Sequence, residues 1–590
     1  MYTGADLVAD FISEKLSSKV FLVTGGACAF MVDAIGRHEK IDYICFQHEQ
    51  AAAMAADAVW RTTGKIGVTM ATSGPGATNL VTGIACSWFD SIPSFHITGQ
   101  VNYSESCEAL EVNARQIGFQ ETDIVGIVAP ITKWAHKINS VEDLVFSLRN
   151  ALIVATTGRM GPVLLDIPMN IQKAEVSEKQ KLAALLDIKI NAEFVDVGFK
   201  FNDFFENANR PLVILGAGLG LNGTLPLIQD WCEIQNIPYV SSWGALTYVD
   251  RSKPGYQGSL GVYGSRHANW VVQAADKIIV LGSRLDNRQR TGNSTGFAPF
   301  AEIAVLDIDA EELKKYKNQR NYLTIQFNLL HAKNLIALGN SSKLNKAWLQ
   351  ELISGANAKD DGFSSSVKQH ELNPYYAFRA IQRKFAPKSI VVSDCGANLC
   401  WVYQSYLPDS TYLFTAGGNS PMGYSLPAAI GAQLVNLDTP VYCFIGDGGL
   451  QMNIQELQTI IHHKLPIKII IQNNSGYGII KQFQDSYFEG RYYATGEGYS
   501  VPDFRKLAAA YGIGYVLVES IQEIEELAIP GGPLIIEMKL PENSLITPKT
   551  EMDRFIHDQF PYVNDGSIQE LPYNYPLRPS QLGGDSVATV

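Results

Sequence analysis

Two hydrophobic rhythms alternate along the chain. Short apolar runs at 20–23, 43–46, 67–71, 95–97 and 163–167 predict buried strands. Between them apolar residues fall at helical spacing, as in the amphipathic segment 1–16 and the alanine-rich segment 51–60. The strand ends run into Gly25-Gly26, His48-Glu49-Gln50 and Ser73-Gly74-Pro75-Gly76, the last predicting a tight loop before a helix from Ala77. Alternation of this kind builds a parallel sheet with helices on both faces. The pattern lapses over the polar stretch 181–200 and restarts between 210 and 330 with PLVILGAGLG, KIIVLGSRL and AVLDID. It lapses again over 340–372, returns over 373–545 with SIVVSDCG and GPLIIEM, and gives way after 548 to a Pro-, Asn- and Ser-rich end. The fold class expected is α/β, with three doubly wound parallel-sheet domains over 1–180, 190–340 and 373–545, and a C-terminal arm over 546–590.

The most informative stretch is 441–478, VYCFIGDGGLQMNIQELQTIIHHKLPIKIIIQNNSGYG. A strand at 441–445 ends in Gly446-Asp447-Gly448, which predicts a tight turn. Ile454, Leu457, Ile460 and Ile461 then place a helix over 454–464. Pro466 breaks it, and a second strand over 467–471 ends at Asn473-Asn474. A right-handed βαβ unit brings both strand ends to one sheet edge, so Asp447 and Asn474 are expected side by side. A carboxylate and a carboxamide oxygen, joined by a turn carbonyl, suit a small hard cation that keeps phosphate oxygens as its other partners. The glycines let the backbone approach a diphosphate. The plainer alternative is an ordinary turn and an Asn-rich loop.

This GDG…NN pattern resembles the magnesium-diphosphate signature of thiamine diphosphate (ThDP) enzymes. The resemblance implies Asp447, Asn474 and the Gly476 carbonyl as Mg2+ ligands, with Gly446, Gly448, Gly449 and Tyr477 around the diphosphate. HEQAA at 48–52 resembles the family's activating-glutamate motif. Glu49 would then hydrogen-bond N1′ of the aminopyrimidine, and desolvation at a strand end favours a carboxyl that shares such a proton. The alternative for Glu49 is an acidic residue favoured at a helix N-terminus.

ATSGPGATNLVTGIA (71–85), ITGQV (97–101), GFQETDIV (118–125), GGNSPMGYSLPAAIGA (417–432) and QFQDSYFEGRYY (482–493) narrow the likeness to acetohydroxyacid (acetolactate) synthases. That family implies pyrimidine-binding, central and diphosphate-binding domains, and active sites shared between subunits of a homodimer or homotetramer. It implies Gly26, Ser73, Gly74, Asn79 and Gln100 beside the pyrimidine, and Phe119 and Gln120 lining the substrate pocket. Met422 would hold the cofactor in its bent shape, though simple core packing is an alternative there. The family also binds FAD without net redox use. The matching positions are Arg159, Gly216, Ala217, Gly218, Gly261, Val262, Tyr263, Gly264, Arg284, Asp307 and Ile308. Asn328 stands where an acidic FAD contact is usual, and structural turns in an empty domain are the alternative to a flavin site.

Three departures bear on the acceptor. Met169 replaces a Lys after DIP, Phe483 replaces a Trp, and Ala397 and Asn398 stand where pocket-facing polar residues are expected. Losing a cation and an indole would enlarge and neutralise the cleft, holding a second 2-keto acid less well. The expected activity is therefore decarboxylation of pyruvate and transfer of the two-carbon unit to a ketone acceptor. A 4-keto-deoxy sugar nucleotide, as in branched-sugar synthesis, is narrowly preferred to a second pyruvate. A pyruvate decarboxylase or oxidase, and a non-catalytic ThDP/FAD-binding regulatory subunit, are the alternatives.

Composition limits the partners. The net charge of −12 with scattered Lys and Arg argues against nucleic acid or an anionic membrane. The eight cysteines form no CxxC pair and read as free thiols of a reducing compartment. With no basic, apolar leader and no membrane-length run, the expectation is a cytoplasmic protein.

Overall fold

The computed structural model describes residues 1–188, 194–293, 296–319, 321–336, 343–356, 372–407, 411–552 and 554–562. Parts of both predicted linkers, and the arm from 563 onward, lie outside the described residues.

The apolar runs form three six-stranded sheets, parallel throughout. The first comprises β1 (Lys19–Leu22), β2 (Asp42–Cys45), β3 (Gly67–Ala71), β4 (Ser94–Gln100), β5 (Trp134–Lys137) and β6 (Val163–Pro168), ordered β2-β1-β3-β4-β6-β5. The middle sheet comprises β7 (Pro211–Leu215), β8 (Tyr239–Ser241), β9 (Tyr256–Ser259), β10 (Lys277–Leu281), β11 (Glu302–Asp307) and β12 (Tyr322–Gln326), ordered β12-β11-β10-β7-β8-β9. The third comprises β13 (Ile390–Ser393), β14 (Tyr412–Phe414), β15 (Val441–Gly446), β16 (Lys468–Asn473), β17 (Gly514–Val518) and β18 (Leu534–Lys539), ordered β14-β13-β15-β16-β18-β17. In each sheet the order reverses beside the first strand, and the crevice opened there at the strand C-termini is where such sheets bind ligands.

The first and third sheets belong to one compact unit. They are joined through two helices, Glu49–Thr63 after β2 and Ser425–Val435 after β14. Ala52, Ala55, Ala56 and Val59 share one buried core with Ala428, Ala429, Ile430 and Ala432. At the crossing a Cβ on Gly431 would overlap the Ala55 carbonyl oxygen, so only glycine admits this approach.

The middle sheet and an antiparallel hairpin, β19 (Lys549–Thr550) with β20 (Gln559–Phe560), form the other unit. Asn269 and Arg266 on the helix Arg266–Ala274 donate to the carbonyls of Ile556 and Gln559, which ties the hairpin to the helix.

Two local expectations are corrected. The segment after β15 is not a tight turn: Gly446 ends the strand at φ −77°, and the helix Asp447–Met452 begins at once, followed by Ile454–Glu456 and Leu457–His462. Its glycines are explained by crowding, because a Cβ on Gly448 would lie 2.6 Å from the Tyr477 ring and one on Gly449 would overlap the Asp394 carboxylate. The helix after β3 likewise starts early, at Pro75–Thr78, with proline at a position where no N–H is needed. Only Gly74, at φ 61°, turns the chain there.

The crossing gives a test with a definite sign. In an unconstrained helix Gly→Ala stabilises by about 1 kcal/mol. Gly431→Ala is instead expected to destabilise by about 1–3 kcal/mol through overpacking, read as a lowered Tm of the cofactor-free protein.

Candidate active site

The third sheet carries one half of the candidate site. Asp447 opens its helix at the end of β15 and is buried. Its Oδ1 accepts from the Gly448 N–H (2.6 Å) and the Tyr499 hydroxyl (2.8 Å), and its Oδ2 accepts from the Gly476 N–H (3.2 Å). Burial pushes the Asp447 carboxyl above its usual range, against these donors. Asn474, one residue past β16, is also buried, and its Nδ2 has no hydrogen-bond partner. The Gly476 carbonyl accepts one bond, from the Gly478 N–H at 3.0 Å, which leaves a lone pair. Nothing lies within 4 Å of where a Gly446 Cβ would be. Among the described residues no cluster of three His, Cys, Asp or Glu side chains could hold a metal. One carboxylate, a carboxamide at the next strand end and open space above a glycine fit a hard cation whose remaining ligands are phosphate oxygens, and the unpartnered Asn474 Nδ2 is a donor suited to those oxygens.

Other residues gather on this edge. Met422 Cε comes within 3.2 Å of the Gly448 Cβ position, and the Tyr477 and Tyr499 rings lie 4.5 Å apart over the same helix start. The Lys481 Nζ fills the space a Gly476 side chain would take, at 2.5 Å.

The first sheet carries the other half. Glu49 starts its helix directly, with His48 as N-cap, and its side chain is buried. Asn79 Nδ2 donates to Glu49 Oε2 at 2.9 Å. A Cβ on Gly76 would lie 3.2 Å from Oε1, so this glycine keeps the approach to that oxygen open. Asn79 is therefore placed as the partner that orients Glu49. Gln120, at φ 64°, packs on Gly74, where a Cβ would lie 2.8 Å from its own Cβ. Phe119 beside it is 84% exposed. Gly26 has open space over it, and Ser73 is buried at the end of β3. The Gln100 side chain is consumed internally, donating to Asp166 Oδ2 and the Thr122 carbonyl and accepting from the Val101 N–H, each at 3.0 Å.

One expectation fails for Asn398, whose amide is not free to face a pocket. Ala397 and Asn398 are buried, and Asn398 accepts from Ser393 Oγ (3.1 Å) and donates to Gln472 Oε1 (2.6 Å). The helix Gly396–Ser405 turns Asn398 into the sheet, where its amide satisfies neighbours instead of facing a cleft. Met169 and Phe483 are half-buried, the latter packed on Tyr487.

Sequence reasoning missed three residues. Asp394, at the end of β13, accepts from the Gly423 N–H (3.0 Å) and the Ser425 N–H (3.3 Å), and burial pushes its carboxyl up to about 7. Glu456 accepts from the Gln47 N–H, two residues before Glu49, and burial raises it to about 7 as well. A strand-end Asp and an acidic residue in an apolar helix were available signals for these two. Tyr499 lies in an aperiodic stretch and had none.

In the other unit the middle sheet's order, read from β9, is third, second, first, fourth, fifth, sixth, the order of dinucleotide-binding sheets. At its switch point a Cβ on Gly216 would overlap the Gly282 carbonyl, and one on Gly218 would lie 3.1 Å from Gly282, so the two loops touch. Ala217 begins the short helix that follows. Gly261 needs glycine at φ 130°, the Val262 N–H donates to the Arg288 carbonyl, and Gly264 and Tyr263 complete that loop, with Tyr263 stacked on Trp243. Arg284 pairs with Asp286 at 3.3 Å, Asp307 accepts from the Asp309 N–H, and the Ile308 carbonyl accepts from Gln326. Asn328 caps its own helical turn through the Leu330 N–H. Arg159 belongs to the unit of the first sheet, where it donates to Ser91 Oγ. Touching glycine loops at the switch point and a flanking arginine fit a dinucleotide's phosphates. Among the described residues no helix is long and apolar enough to cross a membrane.

The chain matches three family models: thiamine pyrophosphate enzyme, N-terminal TPP binding domain, over 2–127; the central domain over 200–326; and the C-terminal TPP binding domain over 394–538. It is 32% identical to the acetolactate synthase large subunit of Lactococcus lactis over 565 residues, covering 92% of this chain and 94% of that one. It is 32% identical to the acetolactate synthase isozyme 2 large subunit of Escherichia coli over 581 residues, covering 98% and 97%. The isozyme 1 large subunit of the same organism is 33% identical over 559 residues, covering 93% and 95%. With all three domains matched and the relatives covered nearly end to end, the chain belongs to the ThDP-dependent enzymes, as an acetolactate synthase-like, carbon–carbon bond-forming carboligase.

Proposed function

We propose that the chain condenses two molecules of pyruvate to 2-acetolactate and CO2, using ThDP, Mg2+ and FAD. The observation that carries this is end-to-end similarity to acetolactate synthase large subunits in a chain that keeps Glu49, Asp447 and Asn474. ThDP, when bound, supplies the electron sink for decarboxylation and carbon–carbon bond formation. Asp447, Asn474 and the Gly476 carbonyl hold Mg2+, whose charge offsets the burial of Asp447. Glu49, oriented by Asn79, holds the proton at N1′ of the aminopyrimidine. Gly216, Gly218, Gly261 and Arg284 hold the flavin's phosphates in the middle domain.

Because each half-site stands on its own sheet edge, we read the working site as Glu49 of one copy facing Asp447 of another in a homodimer or homotetramer. The exposed Phe119 (84%) and Tyr493 (66%) offer apolar surface for that contact.

Met169 and Phe483 support a second acceptor, a nucleotide-linked 4-keto-deoxy sugar. The relatives favour pyruvate over it, and the burial of Asn398 removes one of its supports. Mass spectrometry of products from pyruvate, ThDP and Mg2+, with and without a CDP-linked 4-keto-3,6-dideoxy sugar, separates the two. Acetolactate with untouched sugar is expected. A sugar heavier by an acetyl unit, formed in preference, would reverse the assignment.

Glu49→Gln is expected to lower kcat at least about 100-fold at saturating ThDP, within the range of a lost acid–base group. Near-full turnover would remove Glu49 from its role. Natively purified protein is expected to show flavin absorbance, and Gly216→Val to abolish it. Protein that carries no flavin and takes up none on titration would refute the FAD assignment.

A further inference from the structure

The ten residues between β14 and the Ser425 helix, 415–424, have neither strand nor helix, yet they carry Met422 to Gly448. Two buried or half-buried carboxylates spend their acceptors on the backbone of this segment. At its start, Asp90 Oδ2 accepts from the Gly417 N–H (2.9 Å) and Oδ1 from the Gly418 N–H (2.7 Å). At its end, Asp394 accepts from the Gly423 and Ser425 N–H groups. Charge-assisted bonds of this kind are among the stronger hydrogen bonds.

Asp394 belongs to the third sheet, but Asp90 ends the helix Val81–Asp90 of the first. Its orientation comes from Arg61, whose Nη2 donates to Asp90 Oδ2 at 2.8 Å and whose Nε donates to Asp57 Oδ2 at 2.6 Å. Asp57 is itself held by Ser87 Oγ (2.9 Å) and by the hydroxyl of Tyr424, the segment's last residue. The Arg61 guanidinium also lies 5.8 Å over the ring of Phe414, the last residue of β14. Gly418 cannot carry a side chain here, since its Cβ would fall 2.6 Å from Phe89 and 2.8 Å from Asp90 Oδ1. The segment is thus gripped at both ends, and between the grips Asn419 Nδ2 makes a longer bond to the Thr82 carbonyl (3.4 Å), on the same helix as Asp90.

We propose that Asp90, oriented by Arg61, is a positioning residue that fixes the 415–424 segment from the first sheet and so holds Met422 over Gly448. This rests on the reading of Met422 as a cofactor support. The full chain serves for the test, as Asp90→Ala, Asp90→Asn and Met422→Ala. In ThDP-free protein, hydrogen exchange of the 415–424 peptide is expected to quicken at least about 10-fold in Asp90→Ala, with the β15 and β16 peptides unchanged. The Kd for ThDP, from fluorescence titration, is expected to rise about 10-fold, and Asp90→Asn, which keeps one acceptor oxygen, to recover part of both effects.

Unchanged exchange in 415–424, or quickened exchange with wild-type ThDP affinity and kcat, would overturn the proposal. If Asp90→Ala does not fold, the exchange and affinity of Asp90→Asn decide by the same criteria. Wild-type ThDP affinity and kcat in Met422→Ala would instead sink the underlying reading of Met422, whatever Asp90 does.

Discussion

Everything in the larger unit depends on how closely two helices can cross. The Glu49 helix is built almost wholly of alanine where it meets the Ser425 helix, and Gly431 lets one backbone rest against the other. Larger residues would separate the axes, and with them the two sheets whose edges hold Glu49 and Asp447. Small side chains lose little rotamer freedom when buried, so the joint is inexpensive in entropy. Its cost is intolerance, because a surface without long side chains has none that can move aside.

That joint also explains why so much polar chemistry is buried beside it. Asp57, Arg61 and Asp90 lie along the same seam, with hydroxyls and backbone N–H groups meeting their remaining valences. Removing one member of such a buried group leaves a charge unpaired, which is far more damaging than its net contribution suggests. The seam therefore joins the sheets by directional bonds as well as by apolar contact.

Much of this was legible in the sequence, and the limits are physical. Central strands such as β3, β7, β15 and β16 are buried on both faces and read as mostly apolar runs. Edge strands are not so marked. β5 is WAHK, half-exposed throughout, and β9 and β12 mix polar residues with glycine or threonine, so none was predicted. Asp447 and Asn474 were legible because strand ends locate residues without side-chain detail. Asn398 was misread because one helical step decides whether an amide meets a cleft or a core. Tyr499 reaches Asp447 across a stretch whose path no local pattern dictates.

The first and third sheets share one strand order, counted from their own first strands as second, first, third, fourth, sixth, fifth. Their corners are therefore equivalent. The helix of Glu49 follows β2 as the segment of Met422 follows β14, and Ser73 follows β3 as Asp447 follows β15. The candidate acid Glu49 follows the second strand of one sheet and Asp447 the third strand of the other, so each sheet carries a different half of the candidate site.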